Sequence, residues 1–307
     1  MKIFRTLPVA LSQRQPIALA IGHFDGVHLG HQAMLKRVGE AARDLNLIPS
    51  VLTFEPSPRE FFSKSDAPAK LYPLRMRLSK IADLGIERAY VLRFDERLAR
   101  METPLFADEL LTQTLNTRWL LLSDEARFGL DRRGSLEFLR GRNNAFLVER
   151  MAMIEVEGAR ISSTRVRHAL SQSDFGMAAR LLGGAYRISG RVVRGDALGR
   201  TIGFPTANLP IHEKSVLFGV FAVKVFGLGD PLNGVASLGM RPTVKGKNAP
   251  PLLEAHLFDF NEDIYGRHIE VEFVAKIRDE QRFPDLAALT RQIERDALTA
   301  RRVLGVA

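Results

Sequence analysis

The sequence predicts two domains: an N-terminal α/β domain with an open, mostly parallel sheet, and a C-terminal small closed β-barrel with a terminal helix. Three observations point there. Over residues 1–183, short apolar runs alternate with longer amphipathic stretches, which is the pattern of strands joined by crossover helices. Beyond Gly183 and Gly184 the alternation stops, and closely spaced strand candidates follow one another across Gly- and Pro-containing turns, as in small barrels. Only the last stretch, from Asp285 to about Leu304, regains a helical period. The expected domains are residues 1–183 and 184–307, and a chain of 307 residues is long enough for both.

In order, the first domain should place strands at Ile17–Ile21, Ile48–Phe54, Ala89–Phe94, Trp119–Leu122 and Ala145–Val148, with helices at His31–Leu45, Leu74–Leu84 and Pro104–Leu115. The second should place strands at Tyr186–Val193, Val220–Phe226, Gly234–Leu238, Leu252–Phe258 and Ile269–Val274. The final helix should present Leu286, Leu289, Ile293, Ala297 and Val303 along one face.

Composition narrows the function classes. A chain that is 46% hydrophobic and 26% charged is neither disordered nor fibrous. Lys plus Arg number 44 against 35 Asp plus Glu, a net charge of +9, which suits an anionic partner. The charge is spread over both halves without a long basic run. A nucleic-acid-binding protein with a β-barrel reader would cluster Lys and Arg among exposed aromatics on the barrel strands, and here they are scattered, so no nucleic acid is expected. With no cysteine, the chain can hold no disulfide, thiolate zinc site or Cys nucleophile. The first residues, MKIFRTLPVALSQRQPIALAIG, are interrupted by Ser12, Gln13, Arg14 and Gln15. No apolar run reaches the roughly 18 residues of a membrane span, so a cytoplasmic location away from membranes is expected.

Two segments look chemical. GHFDGVHLGHQ, Gly22 to Gln32, leaves the first strand and enters the first helix, where unpaired N–H groups and the helix dipole favour an anion such as phosphate. Gly26 and Gly30 let backbone approach a ligand closely, and His28 and His31, three apart, can aim at the same phosphate oxygens. No residue there is a nucleophile, so the arrangement suits in-line attack at phosphorus helped by positioning and charge stabilisation. A surface or metal-binding His pair has the same spacing. ISSTRVRHAL, Ile161 to Leu170, offers Ser162 or Ser163 as a helix cap with Arg165 and Arg167 in the first turn, either for an anion or for solvent. In GRTIGFPTANL, Gly199 to Leu209, Thr206 and Asn208 share a face if extended. Their oxygens can hold a hard cation such as Mg²⁺, or simply face solvent at a strand edge.

GHFDGVHLGH with ISSTR resembles the H-x-G-H nucleotidyltransferases, and GRTIGFPTANL resembles the riboflavin kinase signature; together they match the bacterial bifunctional riboflavin kinase/FMN adenylyltransferases, also called FAD synthetases. GVFAVKV (219–225), SLGMRPTV (237–244), LLEAHLFDF (252–260), IYG (264–266) and KIRDEQRF (276–283) follow in that family's order. The resemblance implies a Rossmann-like nucleotidyltransferase domain that adenylylates FMN to FAD with release of pyrophosphate, and a kinase barrel that phosphorylates riboflavin to FMN. It implies Gly22, Phe24, Asp25, Gly26, Gly30, Ser163, Thr164 and Arg165 around the transferase nucleotide, with His28 and His31 catalytic. Glu125, Arg127 and Phe128 would meet the flavin. In the kinase it implies Gly199, Arg200, Gly203 and Pro205 at the phosphates, Thr206 and Asn208 on the Mg²⁺ of MgATP, and Glu254 as base. The partners are then ATP, riboflavin, FMN and FAD. H-x-G-H enzymes acting on pantetheine or nicotinamide nucleotides, or aminoacyl-tRNA synthetase fragments, lack the PTAN barrel. The chain departs from the family at Ser57, in place of the His of P-H-P, and at Ala126, in place of an aromatic.

Overall fold

The computed structural model describes residues 1–7, 15–63, 66–142, 145–195, 198–211, 214–240 and 251–306. They form two compact units, Met1–Pro68 with Tyr72–Ser162, and Ala69–Leu71 with Ser163–Ala307.

The first unit is built on strands β1 (Lys2–Phe4), β2 (Ile17–Ile21), β3 (Ile48–Phe54), β4 (Arg88–Leu92), β5 (Thr117–Leu122) and β6 (Leu147–Arg150). They lie in the order β1-β4-β3-β2-β5-β6 with every pairing parallel. The sheet is covered on both faces, and β2 shows why. Its Ala18 and Ala20 join a core with Met34, Leu35, Val38, Ala41 and Ala42 of helix α1 (Leu29–Asp44), whereas Ile17 and Leu19 join another with Phe106, Leu110 and Leu111. Successive side chains of a strand point to opposite faces, so both sets must be apolar. The chain adds β3 on one side of β2 and β5 on the other. That makes the carboxyl end of β2 the switch point where such folds open a crevice. A two-residue hairpin, β7 (Glu155–Val156) with β8 (Ala159–Arg160), ends the unit.

The expected helix at Pro104–Leu115 is present but differently wound. One α-turn, Thr103–Leu105, leads into a π-helical stretch over Phe106–Thr114, and Leu115 N–H donates to the Leu110 carbonyl at 3.0 Å, a five-residue step. The wider turn buries Phe106, Ala107, Leu110 and Leu111 together, which an even helical period does not require.

The second unit is antiparallel: β9 (Arg187–Arg191), β10 (Ala207–Pro210), β11 (Gly219–Phe226), β12 (Leu232–Met240), β13 (Pro251–Leu257) and β14 (His268–Arg278), in the order β10-β13-β12-β11-β14-β9. A bridge from Val193 to Asn208 brings the two edges together into a nearly closed barrel. Leu209, Phe221, Leu238, Leu253, Ala255 and Phe273 are buried in it. The terminal helix, Leu286–Leu304, starts at Asp285, whose carboxylate caps the Ala288 N–H at 2.7 Å. Its face differs from the expected one. Leu286 and Val303 are 48% and 46% exposed, while Ala297, Ala300 and Leu304 pack on Val220, Ala222 and Val235. A buried pair decides the docking: Asp296 takes Arg278 of β14 at 2.8–3.0 Å, and a charge this enclosed must keep its partner.

Helices Ser163–Ser171 and Phe175–Leu182 precede the barrel strands within the second unit. Phe175 packs on Phe221 at 6.0 Å and on Phe273 at 6.1 Å. A fragment starting at Ser163 should therefore outlast one starting at Gly184. Losing that aromatic alone costs about 3 kcal/mol. Urea unfolding followed by far-UV circular dichroism checks it, and equal midpoints would contradict the packing argument.

Candidate active sites

The first site grows from the end of β2. Phe24 (φ 53), Gly26 (φ 81) and Val27 (φ 42) are all left-handed. Only Gly26 adopts that conformation freely, and a β-branched Val there stores strain of about 1–3 kcal/mol. The turn is held by surrounding bonds: Val27 N–H donates to Phe24 O at 3.1 Å, and Gln32 Nε2 donates to Val27 O at 2.9 Å. Asp25, buried, accepts from the Tyr72 N–H at 3.3 Å, which ties the turn to the segment before helix Leu74–Asp83. Gly22 and Gly30 permit close approach, since a Cβ would meet the Phe24 ring at 3.1 Å and the His28 ring at 3.2 Å respectively.

His28 caps α1: its Nδ1 accepts the His31 N–H at 3.3 Å. That leaves Nε2 as the protonated nitrogen of the neutral ring. The two imidazoles stack at 3.7 Å with 14° between planes, and Phe24 meets His31 edge-on at 5.4 Å. Burial pushes the His28 imidazole down to about 4, with Arg160 adding to the effect against a backbone bond that opposes it. His31 is lowered too, first by desolvation and then by His28, His23 and Arg77. His31 is partly exposed as a residue, but its Nδ1 is enclosed and has no hydrogen-bond partner. Burial therefore disfavours the charged form of both rings.

Behind them lies a group that sequence reasoning missed. Arg77 is fully buried, gives Glu55 a 2.8 Å bond and lies 3.1 Å from the ring nitrogens of His23. In the sequence Arg77 belongs to an ordinary amphipathic helix, and only packing shows that it points inward. A cluster of Phe54, Phe61, Phe62 and Phe94, with centroids 5.2–5.8 Å apart, was also missed. Its Phe62 is 67% exposed. Ser57 explains itself as half of a capping box: its Oγ accepts the Glu60 N–H at 3.2 Å and Glu60 takes the Ser57 N–H at 2.8 Å, starting the helix Pro58–Ser63 that carries Phe61 and Phe62.

The expected flavin residues also make contacts within the protein. Phe128 stacks on Phe106 at 5.0 Å, Glu125 pairs with Arg160, and the exposed Arg127 donates to the Asp124 and Ala126 carbonyls at 2.9 and 2.8 Å. Ser163, Thr164 and Arg165 open the helix Ser163–Ser171 in the second unit.

The second site is a cleft of about 360 Å³ on the barrel, lined by Gly195, Pro205, Thr206, Asn208, Asp263 and Tyr265 among others. Gly199 and Gly203 shape the approach. Phe204 N–H donates to Gly199 O at 2.7 Å, and a Cβ at Gly199 would sit 2.3 Å from Phe204 O. The side chain of Arg200 lies outside the described residues. Asn208 Nδ2 donates to Thr206 O at 3.2 Å, which leaves the buried Asn208 Oδ1 without a partner. Gly195 makes room for that amide, since a Cβ there would come within 2.7 Å of it. On the adjoining strand Glu254, exposed, stands directly opposite Asn208 and, on its other side, Ser237, so the three share one outward row. An orphaned amide oxygen beside a Thr hydroxyl fits a hard cation such as Mg²⁺.

The family profile described as FAD synthetase matches residues 11–165, and that described as riboflavin kinase matches residues 182–304. The bifunctional riboflavin kinase/FMN adenylyltransferase of Escherichia coli (strain K12) is 44% identical over all of this chain and 99% of its own length. The chain belongs to this family. It is an ATP-using transferase that phosphorylates riboflavin and adenylylates FMN. The enzymes of the same name from Haemophilus influenzae and Bacillus subtilis (strain 168) are 43% and 36% identical over 98% and 91% of this chain, and 98% and 89% of their own. A crystal structure from Streptococcus pneumoniae described as a macrolide-efflux protein shares the fold with a TM-score of 0.73 and 26% identity, covering 98% of this chain and 99% of that one.

The state of His28 has a thermodynamic consequence. It titrates near 4 folded against about 6.5 unfolded, so the unfolded chain binds more protons between those values and stability falls as pH drops from 6.5 toward 4. From pH 7 to pH 5 the first unit should lose roughly 2 kcal/mol through His28. Fluorescence of the single Trp, Trp119 in that core, follows the urea transition. His28→Asn keeps a cap acceptor and should remove this share of the slope.

Proposed function

We propose that the two reactions run at two separate sites, adenylyl transfer at the H-x-G-H turn and phosphoryl transfer in the Thr206–Asn208 cleft. The observation that carries this reading is the orphaned Asn208 Oδ1 in one row with Glu254. It puts an oxygen donor for a nucleotide-bound cation next to a carboxylate that can take a proton. In the kinase, Glu254 accepts the proton of the riboflavin 5′-hydroxyl as that oxygen attacks the γ-phosphorus of ATP and ADP leaves. Thr206 and Asn208 would hold Mg²⁺, which when bound offsets negative charge on the phosphates. Gly199, Arg200, Gly203 and Pro205 form the loop along the nucleotide, with Gly199 and Gly203 allowing close approach.

In the transferase, a phosphate oxygen of FMN attacks the α-phosphorus of ATP and pyrophosphate leaves. His28 Nε2–H and the part-exposed ring of His31 serve as neutral hydrogen-bond donors to the phosphates. Neutrality suits them, because a donor that is already desolvated needs little reorganisation as charge shifts in the transition state. Gly22, Phe24, Gly26 and Gly30 keep the backbone close. Ser163, Thr164 and Arg165 are assigned to anion binding on their types: two hydroxyls and a guanidinium at a helix start. The exposed Phe62 is a ready stacking surface for the flavin ring, with Glu125, Arg127 and Phe128 assigned as further flavin contacts. The net positive charge then serves ATP, FMN and FAD, and on this reading the enzyme works in the cytoplasm. Among the described residues no helix is long and apolar enough to cross a membrane.

Replacing His28 and His31 with Ala should reduce FAD formation from FMN by at least about 100-fold while FMN formation from riboflavin continues. Glu254→Gln should do the reverse, slowing the kinase by about 10²–10⁴-fold. Chromatography of FMN and FAD reads both, and equal loss of both activities in a folded variant would defeat the two-site reading. Phe62→Ala should raise the KM for FMN by about 2- to 10-fold without altering the kinase. An unchanged KM would remove Phe62 from the flavin site.

A further inference from the structure

The kinase turn is held by a residue with no part in the chemistry described above. His256 lies on β13 two positions beyond Glu254 and so on the same outward face. Its Nδ1 is 2.9 Å from the carbonyl oxygen of Pro205. A carbonyl can only accept, so this contact requires the proton on Nδ1. The imidazole is set between two aromatic edges, Phe204 at 5.1 Å and 69°, and Phe258 at 6.0 Å and 70°. Phe258 is fixed in turn from the terminal helix, where the Arg301 guanidinium lies 4.4 Å over its ring and bonds Asp259 at 2.8 and 3.1 Å.

The bond matters because of what Pro205 is attached to. The ladder between β10 and β13 begins at Ala207 opposite Ala255, so Pro205 and Thr206 lie outside it. Proline has no N–H to anchor, and its carbonyl belongs to the same rigid peptide plane as the Thr206 nitrogen. The next carbonyl, that of Thr206, accepts from Asn208 Nδ2. Two successive carbonyls are therefore held by side chains where sheet bonds are missing, and the second of these bonds leaves Asn208 Oδ1 unpartnered. We propose that His256 is a positioning residue of the kinase: its Nδ1–H bond to Pro205 holds Thr206 and Asn208 in the arrangement that receives MgATP. Because the same strand bears Glu254, base and turn are kept in register. The inference rests on the assignment of Thr206 and Asn208 to MgATP.

The test uses the full chain and three variants. His256→Phe retains a ring but no donor, His256→Asn keeps an N–H at the Nδ1 position, and His256→Gln moves it one bond further out. The Phe and Gln variants should raise the KM for MgATP and the Mg²⁺ concentration for half-maximal riboflavin phosphorylation about tenfold, with kcat changed less, as loss of one hydrogen bond predicts. The Asn variant should stay within about threefold of wild type, and adenylylation of supplied FMN should be unchanged in all three. A ligand-free readout is amide hydrogen exchange over residues 199–208, expected to quicken in Phe and Gln but not in Asn. Wild-type exchange and Mg²⁺ dependence in His256→Phe would overturn the proposal, as would rescue by Gln and not by Asn. Should the Phe variant fail to fold, the contrast between Asn and Gln still distinguishes the two outcomes. Asn208→Ala separates the two levels: an unchanged Mg²⁺ requirement there defeats the MgATP assignment itself, whereas a raised one beside a normal His256→Phe defeats only the latch.

Discussion

Strand β2 is buried on both faces, and its alternation of Ala with Ile and Leu lets α1 settle on one side and the π-wound helix on the other. Everything at the first site follows from that placement. Enclosed by cores above and below, β2 can open only at its carboxyl end, where the chain must turn sharply to start α1. The turn accepts three left-handed residues, one of them Val27, because the flanking strand and helix are rigid enough to enforce them. The strained Val27 thus directly precedes His28, the first histidine of the candidate pair.

The same burial sets the electrostatics. An imidazole that caps a helix and stacks on another loses hydration it would need as a cation, and Arg160, Arg77 and His23 add repulsion. The outcome is a pair of uncharged histidines at the proposed phosphate site, within a chain of strongly positive net charge. Arg77 is accommodated in the interior by its 2.8 Å pairing with Glu55. Attraction for an anionic substrate and discrimination at the reacting atoms are thereby divided between different residues.

In the barrel the equivalent constraint is registry. Asn208 and Glu254 are far apart in sequence, and antiparallel pairing of β10 with β13 makes them direct neighbours. The edge bridge from Val193 fixes the same residue from the other side. A slip of one position would turn Asn208 inward and Leu209 outward, losing both the cleft and the core. The hydrophobic interior is therefore what holds the polar row in place.

Much of this was legible in the sequence. Short apolar runs marked β2 and β3 at their observed limits, and the change of pattern after Gly184 marked the barrel, because burial of one or both strand faces leaves a direct imprint on residue order. Motifs pointed to His28, His31, Thr206, Asn208 and Glu254 as candidates, since a turn with glycines and paired side chains is a local arrangement. The inward turn of Arg77, the neutrality of the histidines, the π-winding after Phe106 and the partnership of Asp296 with Arg278 were not legible. Each depends on which groups are brought together from distant segments and on how much water is excluded there. Residue order was enough to set the two-part architecture and the longer elements, while the short strands β1, β7, β8 and β10 were not among those expected. The charge, orientation and neighbours of the candidate groups came from packing, because desolvation and side-chain pairing exist only once the chain has folded around them.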